Sequence, residues 1–235
     1  MRSFQDWAAS ENIQDGQRPW LVLGKGPSFA KRDRFDLNAY SLLSLNHAVR
    51  EQPVDLAHAV DLDVIRDCPE AFDENARLVV LPWVPHVKNR PGKKTLDQLL
   101  DDVPLLRKLD NENRLLCYNL GTEKKRRYKD APVVRVRYFS AEAAIRLLAL
   151  SGVPVIRTLG IDGGAAYDAR FSDLSDKTLL SNQRSSFDMQ FKEFAGIIMD
   201  TDTDLAALDT ESPVRVYVAP TEDQLLSVKV LEYAI

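Results

Sequence analysis

The sequence predicts a doubly wound, three-layer α/β domain built on a mostly parallel sheet. Three observations carry that expectation. Short runs rich in leucine and β-branched residues recur along the chain. They are apolar almost throughout instead of alternating, as strands covered on both faces are. Segments of helical periodicity separate them. At 235 residues the chain has room for one large domain with a self-sufficient core, plus a fragment of a second.

Taken in order, the strand expectations are "PWLVLG" (19–24), "YSLLSLN" (40–46), "VDLAHAV" (54–60), "ARLVVLPWV" (76–84), "NRLLCYNL" (113–120), "VVRVRYF" (133–139) and "VPVIRTLGID" (153–162). Helices are expected over "LDVIRDCPEAF" (62–72), "TLDQLLDDVPLLRKL" (95–109) and "SAEAAIRLLALSG" (140–152). In the last of these Ser140 serves as the N-cap and Gly152 closes the helix. Phe187, Phe191, Phe194 and Ile198 recur at helical spacing, so 182–199 reads as one amphipathic helix. Two stretches, "VPHVKNRPGKKT" (84–95) and "GTEKKRRYKDAP" (121–132), are basic, polar and rich in turn formers, and read as exposed loops. The first domain is expected to cover 1–200, with a polar linker over 201–213. Residues 214–235 then offer a fresh strand and a Thr-capped helix, as at the start of a further α/β domain. The chain therefore reads as a fragment of a longer protein, with a covalent partner domain beyond it.

Composition narrows the function classes. A net charge of −4 gives no general reason to bind nucleic acid or an anionic membrane. No run of about 18 apolar residues is present to span a bilayer. The opening "MRSFQDWAASENIQ" lacks the apolar core of a secretory signal. Cys68 and Cys117 are not spaced as metal ligands and read as reduced thiols of a cytoplasmic protein.

Chemistry is expected at the strand exits, because ligands of open parallel sheets bind beyond the carboxyl ends of the strands. The residues so placed are Gly24, Lys25, Gly26, Pro27 and Ser28, then Asn46 and His47, then Asp61 and Asp63. Asn119, Gly121, Thr122, Ser140, Asp162, Gly163 and Gly164 follow. The glycine corner reads either as a phosphate cradle of exposed amides or as a tight strand exit with no ligand. It is neither a Walker loop nor a GxGxxG. Lys25, Arg126, Arg127, Tyr128 and Lys129 offer charge and hydrogen bonds to phosphate, and the second basic loop equally reads as a solvated one. Asp162, Asp168, Asp61 and His47 compete as general base. Asp162, Gly163, Tyr167, Asp168 and Arg170 share the glycine-opened segment "GIDGGAAYDARFSD" (160–173). Asp61-Leu-Asp63 has the form of a metal-binding DxD, but the better reading is a strand end followed by a helix cap, with no metal.

Three pieces in this order, "LVLGKGPSF", "LSLNHAV" and "SAEAAIRLLALSGVPVIRTLGID", resemble the bacterial sialyltransferases and their relatives over about residues 18 to 165. The resemblance implies a modified Rossmann-type, sialyltransferase-like nucleotide-binding domain. It implies a metal-independent glycosyltransferase without further cofactor, using a CMP-linked sugar (sialic acid or Kdo) and a glycan acceptor in bacterial surface polysaccharide synthesis. Carried over by position, Gly24, Gly26, Pro27 and Ser28 would cradle the phosphate, Asn46 would touch nucleotide or sugar, Ser140 would lie against the nucleotide, and Asp162 would floor the site. Tyr128 and Tyr138 lie in the region where the family's tyrosines hold the leaving phosphate. Two departures stand out: Lys25 replaces the family's Asn, and no histidine follows His86 where the family places its general base. The tail resembles the opening of a GT-A glycosyltransferase domain, and the full-length protein would be cytoplasmic or peripheral to the inner membrane. The alternatives are a pterin-type pyrophosphokinase of this fold, and a non-catalytic glycan- or nucleotide-binding module.

Overall fold

A computed structural model describes residues 1–15, 18–121, 126–129, 131–174 and 186–209. Its strands are β1 (Arg2–Ser3), β2 (Trp20–Leu23), β3 (Ser41–Leu45), β4 (Val54–His58), β5 (Ala76–Pro82), β6 (His86–Val87), β7 (Arg90–Pro91), β8 (Leu115–Leu120), β9 (Val133–Val134), β10 (Val155–Leu159) and β11 (Asp204–Ala207). Its helices are α1 (Phe4–Ser10), α2 (Leu62–Asp67), α3 (Pro69–Asn75), α4 (Leu96–Leu99), α5 (Pro104–Asn111), α6 (Ser140–Leu150) and α7 (Gln190–Thr201).

The central sheet runs β1-β8-β5-β4-β3-β2-β10-β11, every pair parallel, with β9 added alongside the end of β8. Consecutive residues of β2 explain why its sequence does not alternate. Trp20 and Val22 enter one core with α1, α6 and α7, while Leu21 and Leu23 enter the other with α2 to α5. Side chains of a strand point to opposite faces in turn, so a strand covered on both sides must be apolar throughout. From β2 the chain winds outward through β3, β4, β5 and β8. It then returns across α6 to place β10 on the other flank of β2. The crevice of such a sheet opens where the winding reverses, between the exits of β2 and β10.

Several elements differ from the sequence expectation, each for a local reason. Residues 62–72 form two helices, because Pro69 cannot continue α2 and instead starts α3. Pro104 likewise separates α5 from α4. The strand expected over 133–139 stops at Val134. The amides of Arg137, Tyr138 and Phe139 turn instead onto the carboxylate of Glu142 at 2.8 to 3.1 Å. That turn also corrects the cap: Phe139 holds the N-cap position and Ser140 is the first residue of α6. Gly152, at φ +80, closes the helix as expected. Residues 84–95 are not all loop, since β6 and β7 pair across a two-residue turn. Within the expected linker, residues 204–207 form the edge strand β11 on β10, so the first domain runs past residue 200. The strand and helix expected over 214–235 lie outside the described residues. Among the described residues, no helix is long and apolar enough to cross a membrane.

Candidate functional site

A cavity of about 770 Å³ opens at the carboxyl ends of β2, β3, β4, β8 and β10. That volume suits a ligand the size of a nucleotide. Lys25, Asn46, His47, Asp61, Gly121 and Asp162 reach its wall from the strand exits. The turn into α6 adds Arg137, Tyr138, Phe139 and Ser140, and the β6–β7 hairpin adds His86, Lys88 and Asn89.

The glycine corner is a clasp between β2 and β10. The Gly24 amide donates to the Leu159 carbonyl and the Gly26 amide to the Gly160 carbonyl, both at 2.7 Å. The Ser28 amide donates to Asp162 Oδ2 at 2.6 Å, and Ser28 Oγ accepts from the Gly160 amide at 2.7 Å. These groups are therefore not the bare phosphate donors that the sequence suggested. Pro27 and Ser28 lie behind the cavity wall. The glycines follow from close approach: a Cβ on Gly24 would stand 2.2 Å from the Gly160 oxygen, and one on Gly26 would stand 2.5 Å from Asp162 Oδ2. Gly160 also sits at φ +74, a conformation that favours glycine.

What the clasp presents to the cavity is Lys25. The side chain is 9% exposed, carries no ion pair among the described residues, and sets its Nζ 4.6 Å above the Tyr167 ring. Burial, aided by the charge of Arg50, lowers its pKa to about 8. A desolvated ammonium without an ion pair among the described residues is the arrangement expected of an anion receptor. Tyr167 continues into an aromatic wall, with its ring centroid 5.5 Å from Phe187, which lies 5.1 Å from Phe139.

At the neighbouring exit, Asn46 holds φ +53, which is uncommon for a residue other than glycine, and it lines the cavity. Its Nδ2 reaches Ser140 Oγ at 3.4 Å, while its buried Oδ1 has no partner. His47 is 5% exposed and its Nε2 lies 3.0 Å from Asp67 Oδ2. Burial lowers the pKa of His47 to about 4, so the ring is neutral at pH 7 with its proton on Nε2 toward Asp67. Its Nδ1 is an acceptor enclosed without a partner. Two acceptors on consecutive residues of the cavity wall are thus enclosed without partners, a cost that the packing of this corner carries.

Asp61 and Asp63 act differently from the expected cap. Lys88 and Asn89 both take left-handed backbone at the β6–β7 turn, at φ +51 and +58. Their amides donate to Asp63 Oδ2 at 2.5 Å and Asp61 Oδ1 at 3.0 Å. The DxD pair thus grips a hairpin. Burial lifts the Asp61 carboxyl to about pH 6. No cluster of metal-ligand residues occurs among the described residues.

Of the sequence candidates, Gly24, Lys25, Gly26, Asn46, His47, Asp61, Gly121, Tyr138, Ser140, Asp162, Gly163 and Tyr167 meet in this one cavity. Others do not. Asn119 is buried and braces the second basic loop, donating to the Tyr128 and Ala131 carbonyls and accepting from the Tyr128 amide. Tyr128 packs on Trp83 at 4.9 Å. Asp168 is buried away from the cavity, with Oδ1 accepting from the Arg170 amide and Nη1, both at 3.0 Å. Arg170 is held there and toward Glu51. Thr122 lies outside the described residues. Sequence reasoning missed Asp67, which stands 20 positions from His47 with no shared motif. It also missed the cavity roles of Arg137 and Phe187, which read as parts of a strand and a helix.

A doubly wound α/β domain with a polar crevice at its switch point is the class that this fold and site define. No protein-family model matches the chain, and no curated protein matches it. Among solved structures, the chain is similar to an apo α-2,3-sialyltransferase from Campylobacter jejuni. The two are 11% identical, the overlay covers 88% of this chain and 81% of that one, and the TM-score is 0.45. A likeness at that level carries no weight for function.

Proposed function

We propose that this domain is a glycosyltransferase that takes its sugar from a nucleotide donor, a CMP-linked acidic sugar such as sialic acid or Kdo, and passes it to a glycan hydroxyl. The observation that carries the reading is Lys25, a buried ammonium with no ion pair among the described residues, on the wall of a nucleotide-sized cavity at the switch point. The aromatic wall of Tyr167, Phe187 and Phe139 gives a ring a face to stack on.

In this reading Asp61 is the general base. Of the four competitors, Asp168 does not line the cavity and His47 Nδ1 is enclosed; Asp61 and Asp162 each accept one backbone amide, and Asp61 is preferred because burial lifts its carboxyl to about 6. A carboxylate titrating at about 6 lies near the optimum for proton abstraction at neutral pH. Lys25 and Asp61 leave the sheet from strands two apart, a separation of about 10 Å, which a sugar ring held between phosphate and acceptor would bridge. The acceptor oxygen bonds to the anomeric carbon as the bond from that carbon to the phosphate oxygen breaks. The acceptor proton passes to Asp61. The leaving phosphate keeps the electron pair, and Lys25 stabilises its charge.

Calorimetric titration with CMP, CMP-Kdo and ATP, with and without Mg²⁺, tests this. CMP should bind without metal, and Lys25→Met should weaken it by about tenfold or more, the ~1.4 kcal/mol or greater expected of a charge-assisted contact. Binding of ATP with Mg²⁺ alone would make the domain a pyrophosphokinase. Binding of no nucleotide would make it a non-catalytic module.

A further inference from the structure

The two basic loops were left without a role by the cavity chemistry, yet the fold brings them together. Residues 84–95 contain Lys88, Arg90, Lys93 and Lys94 and no acidic residue. The guanidinium of Arg126, from the second loop, donates to the Gly92 carbonyl at 3.0 Å and also to the Lys93 carbonyl. That bond ties the loop of Arg127 and Lys129 to the hairpin. The same hairpin lines the cavity through Lys88 and Asn89, and Arg137 lines it from the turn before α6. The cations therefore form one rim that begins at the cavity wall. Arg90, Lys93 and Lys129 are exposed and carry no ion pair among the described residues, whereas Lys94 is paired with Asp102. In a chain of net charge −4 this is a local reversal of sign.

We propose that this rim is the docking surface for an anionic glycan, a saccharide chain bearing carboxylate or phosphate groups whose terminal hydroxyl enters the cavity. The proposal rests on the transferase reading above. Continuity with the cavity favours a polymer threaded from rim to site. A membrane surface would call for apolar or aromatic residues among the cations. A single-stranded nucleic acid would call for exposed stacking rings. Tyr128, from the second segment, is instead packed on Trp83, which immediately precedes the first.

The test compares wild type with R90E/K93E/K129E, a variant whose three changes lie outside the cavity wall. The probes are a size-defined oligogalacturonate, the neutral maltohexaose, and phosphatidylserine vesicles. Wild type should bind the acidic oligomer and not the neutral one, with affinity falling as salt rises. The variant should bind it about tenfold or more weakly, with an unchanged CMP isotherm. Equal binding of the neutral oligomer, undiminished binding by the variant, or binding confined to the vesicles would overturn the proposal. If the acidic oligomer behaves as expected while CMP fails to bind, the transferase reading falls and the docking surface stands. The converse result overturns the docking surface alone.

Discussion

Glycine in this protein marks contact between strand exits more than contact with a ligand. At Gly160 two constraints coincide. Its φ is +74, and a Cβ would stand 2.6 Å from the Gly24 oxygen. Neither neighbour is a side chain able to swing aside, so relief requires β2 and β10 to separate where the clasp holds them. Gly160→Ala is expected to lower stability by about 3 kcal/mol, as strain and backbone clash combine. Urea denaturation checks this, and a change under 1 kcal/mol, roughly the cost of a tolerated surface substitution, would mean that the clasp yields easily. Asn46 also holds left-handed backbone, at φ +53, which Asn tolerates better than most residues.

The β6–β7 hairpin is the element on which cavity and rim both depend. Two strand residues on each side form too little ladder to stand alone, so Asp61 and Asp63 anchor its turn from beneath. The turn closes with Lys-Asn in left-handed backbone, where Asn-Gly is the favoured pair. K88N/N89G is therefore expected to raise stability by about 0.5–1 kcal/mol, measured by thermal melting. A fall would show that the Lys88 or Asn89 side chain supports the fold. The turn before α6 obeys similar logic. Buried Glu142 gathers three successive amides and so fixes Arg137 to Ser140 along the cavity. Its carboxyl is raised by burial, and the amides oppose that shift.

Viewed as a molecule, the domain keeps two desolvated charges, Lys25 and Asp61, around one cavity at neutral pH. The Asp61 carboxyl is raised in the fold, so its stabilising contribution is fully present below its ordinary value near 3.8. That contribution is lost as pH rises through about 6. Lys25 is depressed, so its contribution is present above 10.5 and is lost as pH falls through about 8. Both losses weigh on the fold at pH 7. Asp61→Asn keeps an acceptor for the Asn89 amide and removes one of those charges. Its melting temperature should exceed that of wild type at pH 7, by an amount equivalent to about 2–3 kcal/mol, and the difference should vanish near pH 4. Sugar transfer by the same variant should fall by about a hundredfold. An unchanged melting temperature with full activity would remove Asp61 from the site.

Hydrophobic runs and their spacing were enough to read β2, β3, β4, β5, β8, β10 and α6, because a strand covered on both faces has to be apolar; the short edge strands β1 and β11 carry no such run. The strand exits were legible for the same reason: once the strands are known, Gly24, Asn46, Asp61 and Asp162 can only follow them. Which atoms remain for a ligand was not legible. That depends on partners far along the chain: Leu159 and Gly160 for the corner amides, Asp67 for His47, Arg170 for Asp168, and Lys88 and Asn89 for the two aspartates. Long-range packing assigned those hydrogen bonds. It made the glycine corner, which read either as an amide cradle or as a tight strand exit, into a clasp that holds one buried lysine against the cavity.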